Sequence, residues 1–96
     1  MSQYYTIQTL DGNDTVKYQT ISTNNAQSTS TAITARRILI TTGAVPTYIE
    51  FGTAPNAGVT KFVVPANNQM IFNFRPGNKV AVFTTAQSYT SIVDLD

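Results

Sequence analysis

Five carboxylates and six basic side chains are all that this 96-residue chain offers to acid–base chemistry, because it contains neither histidine nor cysteine. Nucleophilic catalysis of the Ser-His-Asp or Cys-His kind needs a group that titrates near neutrality, and histidine is its usual supplier. Glycoside hydrolysis needs two carboxylates across a cleft. The acids here are Asp11, Asp14, Glu50, Asp94 and Asp96, and all but Glu50 sit in a turn or at the C-terminus, where solvated residues are expected. Glu50 with one other acid is the only hydrolase pairing left, and the expectation is that the chain is not an enzyme. Asp11-Gly12-Asn13-Asp14 has oxygen ligands but lacks the spacing and distal glutamate of an EF-hand loop, so it reads as a hairpin turn. No metal, cofactor or catalytic residue is expected. Asn13-Asp14-Thr15 fits a glycosylation acceptor, a match that means little without an export signal.

The residues better suited to contact than to catalysis are Tyr4, Tyr5, Tyr18, Arg36 and Arg37. Tyrosine buries a large area while keeping one polar handle, which favours docking of the three tyrosines in their otherwise polar surroundings. Arg36-Arg37 is the only basic pair, and in a strand its side chains point to opposite faces. Either one reaches a partner carboxylate or the pair marks a solvated strand edge, where charge discourages unwanted pairing. A formal net charge of +1 gives no electrostatic case for nucleic acid, which needs clustered Lys or Arg. No stretch approaches the roughly 18 apolar residues of a membrane span, and no basic region with an apolar h-region opens the chain. Synthesis in a cytoplasm, with no membrane partner, is the expectation.

These residues sit in a chain that divides in composition. Residues 1–31 are dominated by Thr, Gln, Asn, Ser and Tyr, and 22–31 (STNNAQSTST) is nearly devoid of apolar side chains, which reads as an arm followed by a linker. Within the arm Tyr5, Ile7 and Thr9 alternate before the Asp-Gly turn, and Val16, Tyr18 and Thr20 alternate after it, a hairpin signal. An isolated hairpin is marginal in water, so it should dock on the body or on a neighbour.

The body is expected over 32–96. Ile33 lies an odd number of positions from Ile38 and Ile40, so a bulge or break is expected near Arg36-Arg37. TYIEFG places Ile49 and Phe51 together with Tyr48 and Glu50 opposite. A loop follows at 54–58. QMIFNF puts Met70, Phe72 and Phe74 on one inward face. Arg75-Pro76-Gly77-Asn78 has Pro and Gly where a type II turn wants them, and KVAVFTT reads as a central strand covered on both faces. In the last strand Val93 and Leu95 are the expected inward pair. Six or so strands at spacings of roughly 8 to 12 residues, without a helical period, specify an all-β fold. The expected architecture is a single antiparallel β-sandwich, immunoglobulin-like or jelly-roll-like, with an N-terminal β-hairpin or extended arm.

A chain of this size buries roughly 60 to 70 per cent of its unfolded surface, and small scaffolds of this kind often depend on disulfides, metals or self-association. With cysteine and histidine absent, a homo-oligomer is expected. Charged residues are 11% of the chain against about 25 per cent in ordinary soluble domains. The resulting hydroxyl- and amide-rich surface can meet a partner without a large charge-desolvation cost, which suits a permanent assembly.

The segments ARRILITT, TYIEFGTAPNA, VVPANNQMIFNFRPGNKVAVFTTA and SIVDL resemble the small virion decoration, or capsid cement, proteins of tailed bacteriophages, over residues 36–95. The resemblance rests on a Y-I-x-F/I-G-T-x-P turn, a P-A-N/G turn, an aromatic strand and a P-G-x-K-V-A turn. It implies a β-sandwich that binds the major capsid protein on the head surface of a virion, often as a trimer. Residues 1–31 fall outside it. Two other functions compete: a tail, baseplate or fibre-associated β-module, and a carbohydrate-binding module in which Tyr48 or Tyr89 stacks on sugar.

Overall fold

The computed structural model describes residues 18–95, so Tyr4, Tyr5 and the expected hairpin turn at 11–14 lie outside the described residues. Eight strands and no helix occupy the described chain: β1 Tyr18–Thr23, β2 Ala26–Thr29, β3 Arg37–Thr41, β4 Thr47–Gly52, β5 Phe62–Val64, β6 Gln69–Asn73, β7 Lys79–Thr84 and β8 Ser88–Asp94. They form two four-stranded antiparallel sheets, the first in the order β1-β8-β3-β6 and the second in the order β2-β7-β4-β5. The molecule is a single β-sandwich.

The pairings are nested. Tyr18 faces Val93, Ala26 faces Thr84, Arg37 faces Asn73 and Thr47 faces Val64, so partner numbers sum to 110 or 111 in these four ladders. One long antiparallel ribbon, folded back between β4 and β5, has been rolled up until β8 also meets β3 and β7 also meets β4. That is the double-sheet, eight-stranded connectivity of a jelly roll.

The six strands expected in the body are β3 to β8. The two additional strands come from the stretch read as arm and linker. That reading is corrected here: part of β1 and all of β2 lie within 22–31, and the two strands pair with β8 and β7. β2 has no buried side chain and is held by its ladder to β7. Its line continues as Ser30 and Ile33 bond the backbone of Val80 and Asn78 at 2.8 and 2.9 Å.

The core is aliphatic at its centre, with Ile38, Ile40, Ile92, Val64, Val80 and Val82 wholly excluded from solvent. Each such side chain contributes roughly 1.5–3 kcal/mol. Ile33 and Ala35 are buried from the segment before β3, a bend falls at Arg36, and Ile38 and Ile40 are buried after it; the phase break stands where the sequence places it. Phe74 is buried, and Met70 and Phe72 are half-buried against the core because β6 is an edge strand. The Arg75–Asn78 turn closes with Asn78 N–H donating to Arg75 C=O at 3.1 Å and Gly77 at φ 95°, a backbone that favours glycine at that position. β7 lies inside its sheet, as its apolar run implies.

The inward pair of β8 is corrected. Ser88, Thr90 and Ile92 point into the core, and Val93 points out. This end of the core is lined by hydroxyls. Thr84 donates to the Ala86 carbonyl at 2.8 Å, so Thr23 is the donor in the 2.6 Å bond that links their hydroxyls across the two sheets. The hydroxyls of Ser88 and Thr90 have no partner among the described residues.

Candidate interaction surface

Strand parity turns Tyr18, Thr20 and Ser22 of β1, Tyr89, Ser91 and Val93 of β8, Arg37, Leu39 and Thr41 of β3, and Gln69, Ile71 and Asn73 of β6 onto the outer face of the first sheet. The registers place Tyr18 opposite Val93, Val93 opposite Leu39, and Leu39 opposite Ile71. One apolar or aromatic side chain from every strand therefore stands in a single cross-strand row. Tyr18 and Ile71, at its two ends, are 61% and 40% exposed. Beside it runs a neutral row of Thr20, Ser91, Thr41 and Gln69. Arg37 is the only charged side chain at the outward positions of these strands.

Of the expected contact residues, the structure brings Tyr18 and Arg37 onto this face, at the same end of the sheet. Arg36 is exposed in the bend before β3, and its carbonyl accepts the Phe74 N–H at 2.7 Å. β3 lies between β8 and β6, so the arginine pair does not mark a sheet edge. Sequence reasoning missed Leu39, Ile71 and Val93. The usable signal was that ILI and MIF are unbroken apolar runs, which in a strand put apolar side chains on both faces.

The outer face of the second sheet is different. Its rows are Gln27, Phe83, Tyr48 and Val63, then Thr29, Ala81 and Glu50. Tyr48 leans on Phe83 with ring centroids 6.3 Å apart. The β4–β5 loop is tied to this face from both sides. The Gln27 side-chain carbonyl accepts the Ala57 N–H, and Glu50 accepts the Asn56 N–H at 2.6 Å while pairing with Lys61 at 3.1 Å. The Asn56 N–H first, and Lys61 second, hold the Glu50 carboxyl below its ordinary value. Ala81, between these anchors, is fully buried although it points away from the core.

On the flank where β5 and β6 form the two sheet edges, a cleft of about 460 Å³ opens against Ile49, Phe51, Phe62 and Phe72, with Glu50 and Lys61 at its rim. Its walls are rings packed edge to face: Phe51 and Phe72 at 5.4 Å, Phe62 and Phe72 at 5.9 Å. Phe62 is 53% exposed. No group of three or more His, Cys, Asp or Glu suited to a metal occurs among the described residues. What the surface offers chemically is apolar contact and neutral hydrogen bonding.

The class defined by these observations is an eight-stranded jelly-roll sandwich with a neutral, partly apolar outer sheet. No family model, curated protein or solved structure matches the chain.

Proposed function

We propose that the chain is a structural virion protein that decorates and cements a bacteriophage head shell by binding the major capsid protein as a homo-oligomer, with a trimer favoured. The observation that carries this reading is the outer face of the first sheet, where an apolar row spans four strands and a neutral hydroxyl row lies beside it. A face of this kind, with Arg37 its one charge, buries against another protein while stripping water from few charged groups. The sequence resemblance over residues 36–95 points the same way, and the jelly-roll connectivity is one that capsid proteins use. The mechanism is linkage: a protein that binds the assembled shell and not its disrupted state stabilises the shell by the free energy of binding. Many modest contacts repeated over a lattice then reinforce it. Tyr4 and Tyr5, in residues 1–17, are proposed as further contacts with the same partner.

The test is particle composition and imaging. Virions purified from cells that make this chain should contain it at high copy number, with density on the head. Density confined to the tail or baseplate would replace this reading with the tail-module one, and absence from particles would remove both. Particles lacking the chain should lose heat resistance and regain it when the purified protein is added.

A carbohydrate-binding reading draws on Tyr89, which is 61% exposed on the same outer face, and on the use of jelly rolls by lectins. Tyr48 is less suited, because its ring is half-buried beside Phe83. A glycan array with no signal above background removes it.

A further inference from the structure

Among the described residues the first sheet ends in two strands without an outer partner, and they match. β1 at one end is YQTIST, and β6 at the other is QMIFN. Neither contains a charge or a proline, and among the described residues no strand pairs with the outer side of either. Proteins ordinarily protect such edges with lysine, proline or bulges, because a row of unpaired N–H and C=O groups is a template for another chain. Two neutral edges that lack these devices among the described residues, at the two ends of one sheet, call for an occupant.

We infer that the occupant is a second copy of this chain, joined head to tail, with the β6 edge of one copy pairing antiparallel with the β1 edge of the next. Strand direction allows it. Directions alternate along β1-β8-β3-β6, so β6 and β1 run oppositely, and a neighbour added in the same orientation continues the antiparallel alternation. Lengths match as well, five residues against six. Full overlap sets Ile71 opposite Thr20 of the next copy and Met70 opposite Ile21, each pair sharing a face. Tyr18 of the next copy then lies diagonal to Ile71, within reach of an aromatic ring, and the apolar row of one sheet runs on into the next.

Two-fold pairing of β6 with β6 would also be antiparallel, but it would leave every β1 edge open. Head-to-tail pairing uses both edges of each first sheet, and when such a contact closes into a ring no edge of that sheet remains. The flank that holds Phe62, Phe72 and their cleft then faces a neighbour. The inference rests on the self-association part of the proposed function and supplies its contact.

The absence of cysteine makes the test direct. Three double variants of the full chain combine Ile71→Cys with Tyr18→Cys, Thr20→Cys or Ser22→Cys. All four positions are outward on the first sheet, and within one copy β1 and β6 are separated by two strands, roughly 14 Å across the sheet at the usual strand spacing, too far for an internal disulfide. Under mild oxidation one double variant, expected to be Thr20→Cys with Ile71→Cys, should give reducible covalent dimers and trimers. The single variants should stay unlinked, and the parent chain should sediment near three times 10.4 kDa. Dimers from Ile71→Cys alone would overturn the inference in favour of two-fold pairing. A ladder running past three would overturn the closed ring, and no linkage in any variant would overturn the pairing altogether. Unlinked monomers that still coat particles would sink the contact and spare the decoration reading, whereas linked trimers that never bind heads would do the opposite.

Discussion

The two outer faces of this sandwich solve the same problem in opposite ways. Each carries a cross-strand row of large side chains: Tyr18, Val93, Leu39 and Ile71 on the first sheet, and Phe83, Tyr48 and Val63 on the second. Over the second sheet the chain lays its own β4–β5 loop, tied down by Gln27 and Glu50, and buries Ala81 beneath it. Over the first sheet no described segment is tied down, and Arg37 is the only outward charge. The difference is that the described chain covers its second sheet itself and leaves the first uncovered, which is why the first sheet is the face on which the proposed partner would sit.

The contrast can be broken within one strand. Ile40 points into the core with no exposed area and Leu39 points out. Ile40→Ala should cost about 2–5 kcal/mol, as large-to-small changes in packed cores do, read as a lower denaturant midpoint. Leu39 is half-buried on the outer face, so Leu39→Ser should cost less, about 1 kcal/mol as typical substitutions do, while abolishing decoration of particles. Equal stability losses at the two positions would mean that the outward row is core by another route.

Next in size is Ala81→Leu. The added carbons must displace the loop above, at about 1–3 kcal/mol for overpacking, while Val93→Leu on the open face should be near neutral in the same melts. Gln27→Ala removes one loop anchor and should cost about 0.5–1.5 kcal/mol, the net worth of a hydrogen bond, with faster hydrogen exchange at the Ala57 amide. The smallest effect is that of acid. Glu50 has a folded pKa below its ordinary 4.5, so its contribution is complete above the unfolded value and is lost as pH falls through the folded one. The Asn56 amide resonance should titrate with a midpoint below 4.5 and stop titrating in Glu50→Gln. Amides of β3 should not follow it.

Much of this fold was legible because burial writes itself into hydropathy. The phase break at Arg36, the central position of β7, the Pro76-Gly77 turn and the inward side of β4 all follow from which residues are apolar. β2 was not legible for the converse reason: AQST buries nothing and is a strand only because β7 offers it backbone partners. The phase of β8 was misread because Ser88 and Thr90 fill inward positions where hydroxyls are not expected. The candidate surface suffered most. Leu39 and Ile71 lie inside apolar runs whose neighbours claim the core, and only the register of four strands shows that they align with Tyr18 and Val93.

The nested ladders also carry an expectation for the order in which this molecule assembles. Pairing β4 with β5 closes the shortest loop, and every later ladder encloses the one before it, out to Tyr18 with Val93. Loop-closure entropy rises with the length enclosed, so the expected order of closure runs outward from the β4–β5 turn, with β1 last. A chain so dominated by distant pairings folds on the millisecond-to-second scale. Substitutions at Thr47 or Val64 should change the folding rate, and substitutions at Thr20 or Ser91 should change mainly the unfolding rate. On that order, the strand that completes the outer face arrives last during folding and frays first.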